Sequence, residues 1–117
     1  MERNVVVTGI GVISPVGSGK DKFWQSLIGG KSGIDRIKSF DPGDFDSQMA
    51  GEVKDFDPED FLPRKEYRRM DRFSQFAVCA SLMAMQDASI SLENLDRERA
   101  GVILGSGIGG IQTFEEQ

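Results

Sequence analysis

Histidine is absent from the 117-residue sequence, and cysteine occurs once. A mechanism that uses an imidazole as a base or as a metal ligand therefore cannot be completed within these residues. A single cysteine excludes an internal disulfide bond and suits a reducing compartment. No apolar run reaches the ~18 residues of a membrane-spanning helix, and no charged-then-apolar leader opens the chain. We therefore expect a cytoplasmic protein that neither enters a membrane nor carries a secretion signal.

Basic residues are in the minority, because the net charge at pH 7 is −5. This balance argues against nucleic acid as a general partner. The exception is the segment of residues 64–72, in which five basic and two acidic side chains give a local charge of +3. The segment has two interpretations: a solvated helix face, or a docking patch for an acidic partner. Arginine suits the second role because it pairs bidentately with carboxylate or phosphate.

The chain opens with a predicted strand–loop–helix unit. Residues 5–9 are mostly β-branched and predict a strand, and Pro15 lies in the turn-rich connection that follows. The first helix is expected to end at Gly29 and Gly30. Its apolar face comprises Phe23, Trp24, Leu27 and Ile28.

The middle of the chain is expected to be less regular. Residues 31–48 predict an ordered surface loop, and residues 49–53 a short edge strand. Asp57 and Pro58 predict a short helix, with the aspartate as its cap and the proline at its first position. This helix has room for a turn or two before Pro63.

A long helix is predicted over residues 71–88. One stripe of this helix, at helical spacing, consists of Phe73, Phe76, Ala77, Ala80, Met83 and Ala84. The opposite side carries Val78, Cys79, Leu82 and Met85. A helix that is apolar all round is buried all round. We therefore expect a central helix between layers of a body larger than this chain.

No residue of the chain is a good candidate for covalent catalysis or metal binding. A reactive thiolate requires a cationic neighbour or a helix N-terminus and some exposure. Cys79 lies in the middle of the apolar helix, where burial should raise its pKa, so we reject it as a nucleophile. Metal ligands do not cluster in the sequence.

The last 17 residues predict a strand at 101–104, a glycine-rich turn and the start of a helix at Ile111. A helix stop signal is missing, so we expect the sequence to be the front part of a longer protein. Gly105, Gly107 and Gly110 match the dinucleotide-binding pattern G-x-G-x-x-G. That pattern is weak here, since its acidic ribose partner would lie about 20 residues further on, beyond the end of the chain.

Six segments occur in the order and spacing of the N-terminal part of β-ketoacyl-acyl-carrier-protein synthases. They are Val5–Gly17, Gly30–Ile34, Val53–Phe56, Arg64–Phe73, Met85–Ala88 and Gly105–Gly110. Together they span nearly all of the chain, which resembles the bacterial type II branch of this family. A co-linear set of six motifs is more specific than one glycine pattern.

The resemblance implies an α/β protein with the thiolase-like α-β-α-β-α layered fold, of which residues 1–117 are an incomplete N-terminal part. It also implies a cytoplasmic homodimer without a cofactor. Such enzymes elongate fatty acids by decarboxylative condensation, using a cysteine as acyl acceptor and two histidines. These catalytic residues are expected C-terminal to Gln117, so the chain alone is expected to be inactive.

The family resemblance also implies two kinds of binding residue. Ile108, flanked by Gly107 and Gly109, matches the apolar residue at the acyl-chain pocket, although an isoleucine beside a turn could equally be a core residue. Lys65, Arg68 and Arg69 match the basic patch that receives the acyl- or malonyl-loaded acyl carrier protein. No family motif implies this role for Arg64 and Arg72, the other two arginines of residues 64–72.

Three alternatives stay open at this stage. The nearest is a polyketide ketosynthase or a chain-length-factor-like subunit. A second is a nucleotide-binding βα domain, which would bind NAD(H) saturably. A third is a packing or dimerisation piece, which would have no affinity for a carrier protein. The start of the first predicted strand directly after Met1 favours a discrete protein over a module embedded in a multienzyme.

Overall fold

The computed structural model describes residues 2–117, and the chain divides into two compact units. One unit is Val12–Phe56. The other combines the residues up to Gly11 with Asp57–Gln117. None of the described helices is long and apolar enough to cross a membrane.

The unit Val12–Phe56 contains two small antiparallel sheets and one helix. Its elements are β1 (Ile13–Ser14), β2 (Gly17–Ser18), α1 (Lys20–Ile28), β3 (Ile34–Arg36) and β4 (Met49–Gly51). β1 pairs with β2, and β3 pairs with β4 with Asp35 opposite Ala50. The β1–β2 pair lies within the connection that the sequence predicts only as turn-rich.

Helix α1 ends where its glycines predict. The Gly30 amide donates to the Leu27 carbonyl at 3.0 Å, and the Lys31 amide donates to the Ser26 carbonyl at 2.9 Å. These two bonds close the helix in the Schellman arrangement. The predicted apolar face is not covered by its own unit, since Trp24 is 59% exposed. The buried residue of the helix is Ser26, whose hydroxyl donates to the Val16 carbonyl at 2.8 Å.

The prediction of a loop over residues 31–48 is wrong in part, because Ile34–Arg36 forms β3. Side chains support this strand pair at its exposed edge. Lys54 Nζ donates to Asp35 Oδ2 at 2.8 Å, and this bond is the largest cause that lowers the pKa of Asp35 to about 2. Three residues are too few to show the alternation of apolar and polar side chains that predicts a strand.

The second unit is mainly helical. Its elements are a 3-10 helix (Pro58–Asp60), α2 (Arg64–Tyr67), α3 (Arg72–Asp87) and α4 (Ile111–Glu116). Asp57 Oδ1 accepts a hydrogen bond from the Glu59 amide at 2.9 Å, which confirms the predicted cap. α3 agrees with the predicted helix to within one residue at each end.

The backbone near the N-terminus packs directly on the small-residue face of α3. A Cβ added at Gly9 would overlap the Ala84 carbonyl, and one at Gly11 would overlap the Ala80 carbonyl. Glycine is therefore required at both positions by close approach of the backbone. Within α3, Cys79 is fully buried.

The strands predicted at residues 5–9 and 101–104 do not form. Both segments are exposed: Val5 is 95% and Ile103 is 100% accessible. A strand must pair its backbone N–H and C=O groups with a neighbour, and no partner strand for either segment exists among residues 2–117. The layered sheets implied by the family resemblance are likewise not formed within the described chain. On α3, Leu82 is 39% exposed, so burial on every side is not reached within these residues.

Candidate functional site

The predicted binding residues lie on two segments of the second unit. We define the basic segment as residues 64–72 and the glycine-rich segment as residues 105–110. The basic segment comprises α2 and the connection to α3, and the glycine-rich segment leads into α4.

Side-chain hydrogen bonds brace the basic segment. Gln75 Nε2, on α3, donates to the carbonyls of Tyr67 and Met70, each at 3.2 Å. The Tyr67 hydroxyl donates to Glu59 Oε1, and this bond is the largest cause that raises the pKa of Tyr67. The backbone that carries the basic side chains is thus tied to the elements on either side of it.

The three candidate docking residues are all exposed. Lys65 lies on α2, and Arg68 and Arg69 follow directly after it. Arg68 has helical backbone angles (φ −61°, ψ −15°), so Lys65 and Arg68 lie one helical turn apart on the same side of this backbone. Within residues 2–117 none of the three forms an ion pair. These cations are therefore accessible to an acidic partner.

The glycine-rich segment exposes its one large side chain. Ile108 is 78% accessible, and a Cβ at Gly107 would meet nothing within 4 Å. Gly109 has a positive φ of 79°, and a Cβ there would lie 3.7 Å from the Phe73 ring. The end of the segment thus lies near α3, while the described residues leave most of the Ile108 side chain uncovered. Its position in an acyl pocket stays a prediction.

A cleft of about 290 Å³ lies between the start of α3 and residues 109–113. Its lining residues are Asp71, Arg72, Phe73, Phe76 and residues 109–113. The guanidinium of Arg72 lies 4.8 Å from the centre of the Phe76 ring. Ile108 does not line this cleft.

Asp71 joins the two segments. Its carboxylate accepts a hydrogen bond from the Thr113 hydroxyl, 42 positions later in the chain. A Cβ at Gly110 would also overlap this carboxylate. Sequence reasoning missed Asp71, because an aspartate before a helix is expected to cap that helix and to do nothing else.

Covalent chemistry finds no support among the described residues. Cys79 is fully buried, and burial raises the pKa of its thiol, as predicted. No group of three or more histidine, cysteine, aspartate or glutamate residues that could hold a metal ion occurs in the described part of the chain. The described residues offer surfaces for recognition: the exposed cations Lys65, Arg68 and Arg69, and the exposed side chain of Ile108.

The dinucleotide pattern lacks its structural context. Gly105, Gly107 and Gly110 precede α4, but no strand leads into them. The pattern binds a pyrophosphate through a strand–turn–helix unit. The NAD-binding alternative therefore receives no support from the geometry.

Comparison with known proteins gives a match over the described chain. The family model "Beta-ketoacyl synthase, N-terminal domain" matches residues 2–117. One similar relative is 3-oxoacyl-[acyl-carrier-protein] synthase 2 of Synechocystis sp., which is 47% identical over 116 residues. The alignment covers 99% of this chain and 28% of that relative. The chain thus spans little more than a quarter of the relative's length.

Two solved structures are similar in fold and sequence. One, described as the ishigamide ketosynthase/chain length factor, has a TM-score of 0.69 and 38% identity over 77% of this chain and 22% of that one. The other is AntDE:AntF, a type II polyketide acyl-carrier protein in complex with its ketosynthase, with a TM-score of 0.56 and 34% identity. It covers 80% of this chain and 21% of that one. Both neighbours are ketosynthases, and with the family match over residues 2–117 they show that this chain belongs to the β-ketoacyl synthase family, of which it carries the N-terminal domain sequence.

Proposed function

We propose that this chain is the N-terminal part of a condensing enzyme of fatty-acid elongation. The reaction joins an acyl group, held as a thioester on the enzyme, to malonyl-carrier protein, with loss of CO2 and formation of 3-oxoacyl-carrier protein. The observation that carries the proposal is the 47% identity to a 3-oxoacyl-[acyl-carrier-protein] synthase 2 over 99% of the chain. The nucleophilic cysteine and the two histidines belong to the part of the protein beyond Gln117.

The described residues contribute recognition to this reaction. Lys65, Arg68 and Arg69 form the docking surface for the acidic carrier protein, and their exposure without an ion pair supports this role. Such complementary charges mainly raise the association rate and orient the encounter. An acyl carrier protein bound to its ketosynthase in the AntDE:AntF structure supports a partner of this kind.

Ile108, between Gly107 and Gly109, lines the acyl-chain pocket of the complete, homodimeric protein. Its 78% exposure within the described chain supports this role, because most of the apolar side chain is left available to the rest of the protein. The open surroundings of Gly107 permit the segment to shift as the acyl chain lengthens.

A second candidate function is a polyketide ketosynthase or its chain-length-factor-like partner. The ketosynthase/chain length factor neighbour, with its TM-score of 0.69, favours this alternative. The residues beyond Gln117 discriminate between the two. A nucleophilic cysteine in a strand-to-helix turn, followed by two histidines, indicates a condensing subunit, whereas loss of that cysteine indicates a chain-length factor.

Charge reversal tests the docking surface. In the complete protein, Lys65→Glu, Arg68→Glu and Arg69→Glu together should weaken carrier-protein binding by about tenfold or more, since attraction becomes repulsion at three rim positions. The salt dependence of the remaining affinity should also become weaker. Both quantities can be measured by titration calorimetry at two ionic strengths.

The matched control reverses three exposed cations elsewhere in the sequence: Lys31→Glu, Arg97→Glu and Arg99→Glu. The control produces the same change of net charge. If both triple variants lose affinity equally, net charge and not the basic segment governs binding. Unchanged affinity in the docking variant would remove the docking role altogether.

A further inference from the structure

Asp71 occupies a capping position without acting as a cap. It precedes α3 with extended backbone angles (φ −62°, ψ 156°), the geometry in which an aspartate ordinarily accepts a bond from the first helical turn. Its carboxylate makes no such bond. The carboxylate is directed instead to Thr113, whose hydroxyl donates to Asp71 Oδ1.

The second carboxylate oxygen faces the glycine-rich segment. A Cβ on Gly110 would overlap Asp71 Oδ2, although the φ of Gly110, −84°, is one that any residue adopts. A side chain at this position would therefore have to displace the carboxylate from its place beside the glycine. Both oxygens of Asp71 thus lie against residues 110–113.

Packing contacts contribute little to holding residues 109–114 in place. The cleft of about 290 Å³ lies between residues 109–113 and the start of α3. Ile111 is 49% and Phe114 is 83% exposed. The hydrogen bond of Thr113 to Asp71 is therefore one of the contacts that restrain this part of the chain.

We propose that Asp71 and Thr113 form a latch that holds the glycine-rich segment against the end of the basic segment, and that both are positioning residues for acyl chain-length selection. The inference rests on the proposed function, which puts Ile108 at the acyl pocket. A long acyl chain displaces Ile108 and the residues attached to it. Displacement breaks the Asp71–Thr113 hydrogen bond, so the latch penalises long chains and leaves short chains unaffected.

The test compares long and short acyl-carrier-protein substrates of the complete protein. Thr113→Val removes the hydroxyl and keeps the shape of the side chain. It should raise the ratio of kcat/KM for the longest accepted chain to that for a short chain by about tenfold, the size expected for a lost hydrogen bond to a charged group. Thr113→Ser, which retains the hydroxyl, should leave this ratio at the value of the unsubstituted protein.

Asp71→Ala removes the acceptor of the same hydrogen bond. Asp71→Ala should raise the same ratio, and the double variant Asp71→Ala/Thr113→Val should raise it no further than either single change, because both remove one interaction. A purely structural role would lower kcat/KM for long and short chains alike, and that result would overturn the proposal.

Ile108→Phe separates failure of the latch from failure of the proposed function. Added bulk at the pocket should lower the long-to-short ratio, opposite in sign to the latch variants. If Ile108→Phe lowers the ratio and Thr113→Val leaves it unchanged, the latch is wrong and the pocket stands. If neither variant changes the ratio, the glycine-rich segment does not face the acyl chain and both are wrong.

Discussion

Ile108 is a large apolar residue that the described chain leaves 78% exposed. In the complete protein, Ile108→Phe should shorten the longest acyl chain that is accepted, because the larger side chain fills pocket volume that the chain end would occupy. Product lengths can be read by mass spectrometry of the carrier-bound products. Ile108→Val is the control, in which the side chain becomes one methylene smaller instead of larger. An unaltered product profile in both variants would mean that Ile108 does not line the pocket.

Individual residues were predictable from the sequence where their role is local. The cap at Asp57 and the burial of Cys79 follow from neighbouring residues, and both are confirmed. The role of Asp71 was not predictable. Its partner Thr113 is 42 positions away, and nothing in the local pattern distinguishes an aspartate that caps a helix from one that reaches a distant hydroxyl.

At the scale of secondary structure, the N-terminal backbone lies so close to α3 that the contact leaves no space for a side chain at Gly11. Gly11→Ala places a methyl group where the Ala80 carbonyl lies. Such overpacking should destabilise the complete protein by about 1–3 kcal/mol. The denaturation midpoint in urea measures the change.

Gly43→Ala is the matched control for this prediction. Gly43 lies in an exposed turn, and a Cβ there would approach only the Asp41 side chain, at 3.3 Å. The control should shift the midpoint little. Equal shifts in the two variants would show that loss of a glycine, and not the approach to α3, is responsible.

Helices were predictable from the sequence because their backbone hydrogen bonds are formed within one continuous segment. α3 follows from the spacing of its apolar residues, and the end of α1 follows from its glycines. Strands were predictable only in part, because a strand forms only beside a partner: the edge strand predicted at residues 49–53 forms as β4 (Met49–Gly51), which pairs with β3. Residues 5–9 and 101–104 have β-branched sequences but remain unpaired, whereas Ile34–Arg36, with no such pattern, pairs with β4.

At the scale of the molecule, the exposure of apolar side chains is the dominant feature. Val102, Ile103 and Phe114 are each more than four-fifths accessible. Large exposed apolar surface marks an interface or a liability to aggregate. The isolated 117-residue chain should therefore self-associate or melt without a cooperative transition, as judged by light scattering and circular dichroism.

The complete protein is the control for this behaviour. It should remain a defined species under the same conditions, because its remaining residues cover the exposed segments. A monomeric 117-residue chain with a sharp thermal transition would contradict the prediction. That outcome would also favour an independent domain over the incomplete layered fold that the family resemblance implies.

An assay of the complete protein for condensation shows whether these residues belong to a condensing enzyme. The complete protein is incubated with acyl-carrier protein and malonyl-carrier protein, and the carrier-bound products are analysed by mass spectrometry. We expect a 3-oxoacyl product two carbons longer than the starting acyl group, with release of CO2, and no product from the 117-residue chain alone. A complete protein that binds the carrier but forms no extended product would contradict the proposed condensing function and indicate a chain-length-factor-like subunit.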